Sequence, residues 1–229
     1  MHSIQYQNAA SLASERSEFI RKVYMNLALG FAGFIALEAF LVTWQPAVDL
    51  AQRMVSGNNW LIVLLAFMGV SWLANSWAAA GATLGKQYAG FALYIIAEAI
   101  IFLPLIIFAN SFAPDTIPQA GIITAAFTAG ISAYAFFSKK DFSFMGSFLT
   151  IASFVALGII VCAVLFGIQL GLWFSAAMIV FAGLVILYQT SVMIRRYRND
   201  QYVAAALGLF AAIALMFWYI LQFLISSRR

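Results

Sequence analysis

From Phe142 to Ile194 the chain runs for 53 residues without one Lys, Arg, Asp or Glu. As a single helix this stretch would be about 80 Å long, more than twice the roughly 30 Å hydrocarbon core of a bilayer. A segment so apolar belongs in lipid, and there every backbone polar group must be satisfied inside a helix or a closed barrel. The run is therefore read as two membrane-crossing helices folded back on each other. Gly167, Gln169 and Gly171 mark the turn between them.

The same reasoning, from charges and turn residues, divides the rest of the chain. The predicted spans are Val23 to Trp44, closed by Pro46; Trp60 to Gly81; Tyr88 to Ala109; Pro118 to Phe137; Phe142 to Phe166; Leu172 to Ile194; and Tyr202 to Ile225. Composition agrees: 65% of the 229 residues are hydrophobic and 9% are charged, against about a quarter charged in soluble domains. The expected fold class is an all-α integral membrane protein of seven transmembrane helices. It comprises a polar cytoplasmic leader over 1–22 and a membrane domain over 23–229. The leader lacks the apolar centre of a cleaved signal peptide, and its composition suits a flexible tail.

Nine Lys and Arg (Arg16, Arg21, Lys22, Lys86, Lys139, Lys140, Arg195, Arg196 and Arg198) fall on one face of this arrangement. Three (Arg53, Arg228 and Arg229) fall on the other. Cations accumulate on the cytoplasmic side, so the N-terminus is expected inside and the C-terminus outside. Trp44, Trp60 and Trp173 fall at outer ends of spans, and Tyr24, Tyr88, Tyr197 and Tyr202 at inner ends, as interfacial aromatics should.

Helices in lipid associate through small residues that let backbones approach. Ala204, Gly208 and Ala212 in the last span, and Ala125, Ala129 and Ala133 in the fourth, recur every four residues and are candidate packing faces. The 22 Phe residues are read as lipid-facing and gap-filling bulk. Cys162 is a lone thiol inside an apolar run, expected to be a small buried hydrophobe.

Several chemistries lack their residues. The one histidine, His2, is in the leader, so histidine-based zinc sites and serine–histidine relays are not expected. No intramembrane lysine is available for a retinal Schiff base and no glycine-rich phosphate loop is present. No cofactor, resident metal, nucleic acid or enzymatic activity is expected.

What remains is ionisable side chains in lipid, which are costly and therefore functional candidates. Glu98 lies about 18 Å past Lys86, near the midplane, and Glu38 about 24 Å past Lys22. No Lys or Arg lies inside any predicted span to neutralise them. A carboxyl so placed can exchange a proton or hold a cation and suits an ion pathway. Pro104, six residues beyond Glu98, frees the Ile100 carbonyl and is a candidate helix kink. Gln189 is a weaker pathway candidate, and Asn26 and Asn75 are expected to hydrogen-bond between helices.

Four segments are similar to those of a known family: Lys139-Lys140-Asp141-Phe142-Ser143-Phe144, Ile186-Leu187-Tyr188-Gln189-Thr190-Ser191, Tyr202 through Leu224, and Ala97-Glu98-Ala99-Ile100-Ile101-Phe102-Leu103-Pro104. Through them the chain resembles the Bax-inhibitor family of seven-helix membrane proteins, and within it the bacterial YccA-like branch. The resemblance implies a last helix enclosed by the other six and a role in membrane or ion homeostasis. It also implies a calcium leak gated by two aspartates on the last two helices. This chain has Gln189 and Ala212 at the aspartate positions, and an amide and a methyl group do not titrate. The acid-pair gate therefore does not carry over, and a passive low-rate pathway for calcium or protons would rest on Glu98. The branch also implies an alternative, a non-conducting partner of a membrane-bound quality-control protease, with the leader as its handle.

Overall fold

The computed structural model describes residues 2–79, 81–138 and 140–228, with side chains from residue 14 onward. It is all helix among the described residues: α1 His2–Leu41, α2 Gln45–Met54, α3 Asn59–Ala78, α4 Leu84–Phe112, α5 Thr116–Phe137, α6 Gly146–Phe166, α7 Leu172–Arg195 and α8 Tyr202–Ser227, with a short 3-10 turn at Ser143–Met145. Seven of these helices are long and apolar enough to cross a membrane. The fold-back inside the uncharged run falls where expected. Gly167 ends α6 in the left-handed region at φ 66, and the Ile168 N–H donates to the Ala163 carbonyl at 2.8 Å, closing the helix end as glycine readily allows.

Three features depart from the sequence reading. The linker after α1 contains an extra helix, α2. Pro46 closes the first span but also sits in the first turn of α2, where its missing N–H costs nothing. Ala47, Ala51 and Met54 form the buried stripe of α2. Second, α1 is continuous from His2, so residue 22 is no boundary in the backbone. Leader residue Phe19 is 1% exposed, and the leader from residue 14 onward therefore packs with the body instead of forming a flexible tail. The side chains of 1–13, most of the proposed handle, lie outside the described residues. Third, Ala125, Ala129 and Ala133 all face outward. The packing face of α5 is Thr116, Ala120, Thr124, Ser132 and Ala135. Four-residue spacing marks a stripe but does not say which way it points, and here hydroxyl-bearing small residues make the contact.

α8 is the centre of the bundle. In its apolar stretch 67% of residues are buried, against 11% in α3 and in α6. It packs on α1, α3, α4, α5 and α7, while α6 packs on α7 and α3 and adds at most a marginal contact to α8. The ring around the last helix is thus five helices with the sixth standing outside. Of the expected stripe on α8, Ala212 is buried and Ala204 and Gly208 are half-buried. Gly208 takes the Gln189 side chain of α7 so closely that a Cβ would lie 2.9 Å from its Oε1. α3 and α4 meet at Gly90, where a Cβ would lie 2.5 Å from the Ala74 carbonyl oxygen.

Phe210 on α8 sits in an aromatic layer with Phe31 of α1 at 4.7 Å and Phe91 of α4 at 5.8 Å. Tyr94, also of α4, lies 6.2 Å away. Some Phe residues therefore form the interior, while others, such as Phe137 and Phe166, face outward.

On the basic face, side chains tie the helix ends together. The Arg16 guanidinium donates to the carbonyls of Tyr197 at 2.8 Å and Ile194 at 2.7 Å, to that of Met193, and to Asn199 Oδ1 at 3.1 Å. A cation is favoured at this position, the C-terminal end of α7. The loop before α6 docks on the same end. Arg195 donates to the carbonyls of Ser138 at 3.2 Å and Lys140 at 3.0 Å, and Ser191 Oγ accepts from the Phe142 N–H at 3.0 Å. Asp141 accepts from the Ser143 N–H at 2.9 Å and faces Arg196 at 3.9 Å.

Candidate functional site

The depth of each residue in the bundle follows from its position along its helix. Glu98 is halfway along α4 and is 5% exposed. It forms the floor of a cavity of about 1000 Å³ whose walls come from α3, α4, α6 and α8. Trp60 and Leu64 on α3, Pro104 and Phe108 on α4, Leu157 and Val164 on α6, and Trp218 and Gln222 on α8 line it. All of these lie in the half of the bundle toward the C-terminal face. At that face the cavity reaches the loop residues Val55, Gly57, Ile168 and Leu170. Toward the basic face the aromatic layer around Phe210 lies beyond Glu98 and closes the bundle.

The Tyr94 hydroxyl, one turn before Glu98 on the same helix, stands beside its carboxyl. The Glu98 Oε2 atom is buried and has no hydrogen-bond partner among the described residues. Among the lining residues described there is no Lys or Arg. Apart from Glu98, the oxygen-bearing side chains of the lining are Ser153, Tyr219 and Gln222. The rest is aliphatic and aromatic.

The other sequence candidates lie elsewhere. Glu38 is buried, and both its carboxylate oxygens lack a partner among the described residues, but it does not line the cavity. Gln189 packs on Gly208 toward the basic face and is likewise absent from the lining. Pro104 lines the cavity, and α4 runs through it without a break. Asn26 and Asn75 each donate to the carbonyl four residues back on their own helix, at 2.8 Å, so their amide N–H groups do not bridge helices. Cys162 is exposed on the outer side of α6 and not buried. Tyr94 escaped the sequence reading, although its place four residues before Glu98 puts the two on one helix face. Trp218 and Gln222 also escaped it, because nothing local distinguishes them from the other polar and aromatic residues of an apolar helix.

The segments that carried the family resemblance meet in space. The 140–144 loop docks on Ser191, and Tyr188 closes over the start of α6, its hydroxyl 3.0 Å from where a Gly146 Cβ would stand. Lys139 lies outside the described residues.

Seven apolar helices, five of them packed around a buried C-terminal one, with only short connections, define a multi-pass α-helical membrane protein. The chain belongs to the Bax-inhibitor family: the family model described as inhibitor of apoptosis-promoting Bax1 matches residues 16–229. An uncharacterized protein of Pseudomonas aeruginosa is 29% identical over 234 residues, covering 97% of this chain and 96% of its own length. The Golgi anti-apoptotic protein of vaccinia virus is 27% identical, covering 93% of this chain and 87% of its own length. Protein LIFEGUARD 3 of Arabidopsis thaliana is 24% identical, with coverage of 92% and 85%.

Proposed function

We propose that this Bax-inhibitor family protein is a passive, low-rate proton pathway in a bacterial inner membrane, with Glu98 as its central acid. The observation that supports it is the position of Glu98. Its carboxyl stands between a cavity that reaches the C-terminal face and an aromatic layer that closes the basic face. A proton arriving through the cavity is taken by the Glu98 carboxyl. It is released toward the basic face when the layer of Phe91, Tyr94 and Phe210 loosens. Calcium is a poorer fit, since that ion takes six to eight oxygen ligands and the lining offers few. Glu38 and Gln189 have no part in this route. The basic face is assigned to the cytoplasm because it carries nine of the twelve Lys and Arg.

Proteoliposomes loaded with a pH-sensitive dye test the reading. Proton flux should exceed that of empty liposomes and fall toward the empty-liposome level in Glu98→Gln, as loss of a positioned proton-transfer group implies. Phe210→Leu, which thins the aromatic layer, should raise it. Flux equal to that of empty liposomes from mildly acidic to mildly alkaline pH would refute the pathway. The non-conducting protease partner would then become the better proposal, its test being copurification of a membrane protease that is lost when residues 1–13 are deleted.

A further inference from the structure

Proton transfer at Glu98 does not account for the size and apolar wall of the cavity, about 1000 Å³. That volume is at the upper end of what small-molecule sites enclose, and such sites are mostly apolar with a few placed polar groups. Here the polar groups are few: Glu98 at the floor, Gln222 toward the mouth, and the hydroxyls of Ser153 and Tyr219 in the walls. Aromatic side chains fix the wall near the floor. Phe102 meets Trp218 edge-on at 4.9 Å, and Trp218 stacks with Trp60 at 6.2 Å.

From this arrangement we infer that the cavity is a binding site for a lipophilic organic cation, an amine or ammonium with a bulky apolar body. The cationic head pairs with Glu98 and the body lies against Trp218, Trp60 and the aliphatic face of α6. Each property of the ligand follows from the wall. A lone carboxyl with no Lys or Arg among the described lining residues disfavours an anion. An acid in the lining disfavours a purely apolar occupant such as an acyl chain, which would cover the carboxyl without supplying a partner. Aromatic side chains in the same lining, Phe102 and Trp218 among them, favour a cation over a neutral donor. A small inorganic cation would leave most of the chamber empty.

The inference shares with the proton reading only that Glu98 faces the cavity, and it does not require conduction. The probe is tetraphenylphosphonium, with triphenylphosphine oxide as its neutral aromatic counterpart, bound to the purified full chain in lipid nanodiscs and followed by equilibrium dialysis. Saturable one-to-one binding of the cation is expected, with no competition from a tenfold excess of the neutral compound. Glu98→Gln should weaken it about tenfold or more, the scale for removing one partner of a buried charge pair. Leu157→Trp, placed on the peripheral helix α6 to intrude on the chamber while leaving the acid intact, should weaken it about tenfold or more. Its folding is checked by monodisperse elution. Absence of saturable binding, equal competition by the neutral compound, or unchanged binding in folded Leu157→Trp would each overturn the proposal. If Glu98→Gln does not fold, the Leu157→Trp result decides alone. Binding without proton flux sinks the pathway and keeps this site; flux without binding does the reverse.

Discussion

Arg16 holds together two chain segments that sequence distance keeps far apart. Its guanidinium reaches the carbonyls of Met193, Ile194 and Tyr197 and so joins the start of the first membrane helix to the end of α7. Hydrogen bonds to charged groups contribute about 1.5–3 kcal/mol each at most, and not additively. Arg16→Ala is therefore expected to lower unfolding stability by about 2–3 kcal/mol, measured as thermal denaturation in detergent. Arg16→Lys should recover only part of the loss, because an ammonium lacks the planar fork that spans several acceptors. Nothing in the sequence pointed to this role. The partners are backbone carbonyls, which carry no residue signature, and Arg16 looked like one more cation of a polar leader. Glu98 is the opposite case. A carboxyl within an apolar run has so few tolerable positions that its burial beside a cavity was legible from the sequence. The same logic found Glu38 buried but could not say that it misses the cavity, since that depends on which way each helix is turned.

Among the elements, the contact of α3 with α4 at Gly90 is the tightest backbone approach. A Cβ there meets the Ala74 carbonyl oxygen, which belongs to a helix and cannot move alone. Gly90→Ala should cost about 1–3 kcal/mol, the usual range for overpacking. Ala129→Leu, on the outward face of α5, should be neutral in the same thermal assay. This pair separates a buried stripe from an exposed one, a distinction that spacing alone did not supply for α5. The extra helix α2 was missed for a related reason: at ten residues it is too short to span a bilayer, and only spans were sought. Residues 140–143 are expected to respond to pH. Hydrogen bonding by Ser143, whose backbone N–H donates at 2.9 Å, holds the Asp141 carboxyl below the usual carboxylate range, with a smaller contribution from Arg196. A carboxyl whose value is lowered in the folded state stabilises that state above its unfolded value, and the stabilisation fades as pH falls through the folded one. Hydrogen exchange of residues 140–146 should thus be slow at neutral pH and rise only in acid. Asp141→Asn should exchange fast already at neutral pH.

At the level of the whole molecule, the number of spans was readable because charge and length constrain a membrane helix so strongly. The central place of α8 was implied by the family resemblance and by its small residues, and the structure puts five helices around it. Orientation is a prediction of the cation count. A periplasm-dependent reporter such as alkaline phosphatase fused after Arg229 should be active in a bacterial host, and a fusion at the N-terminus inactive; the reverse pattern would invert the assignment.

The detached position of α6 has a mechanical corollary. Most walls of the chamber above Glu98 belong to helices clamped to the central one, but this panel leans on α7 and α3 and otherwise on the surrounding acyl chains. Lateral pressure in the bilayer therefore helps to set how wide the chamber stands. Thinner or more loosely packed membranes should admit bulkier guests than thick, ordered ones, with no change in the protein's own sequence.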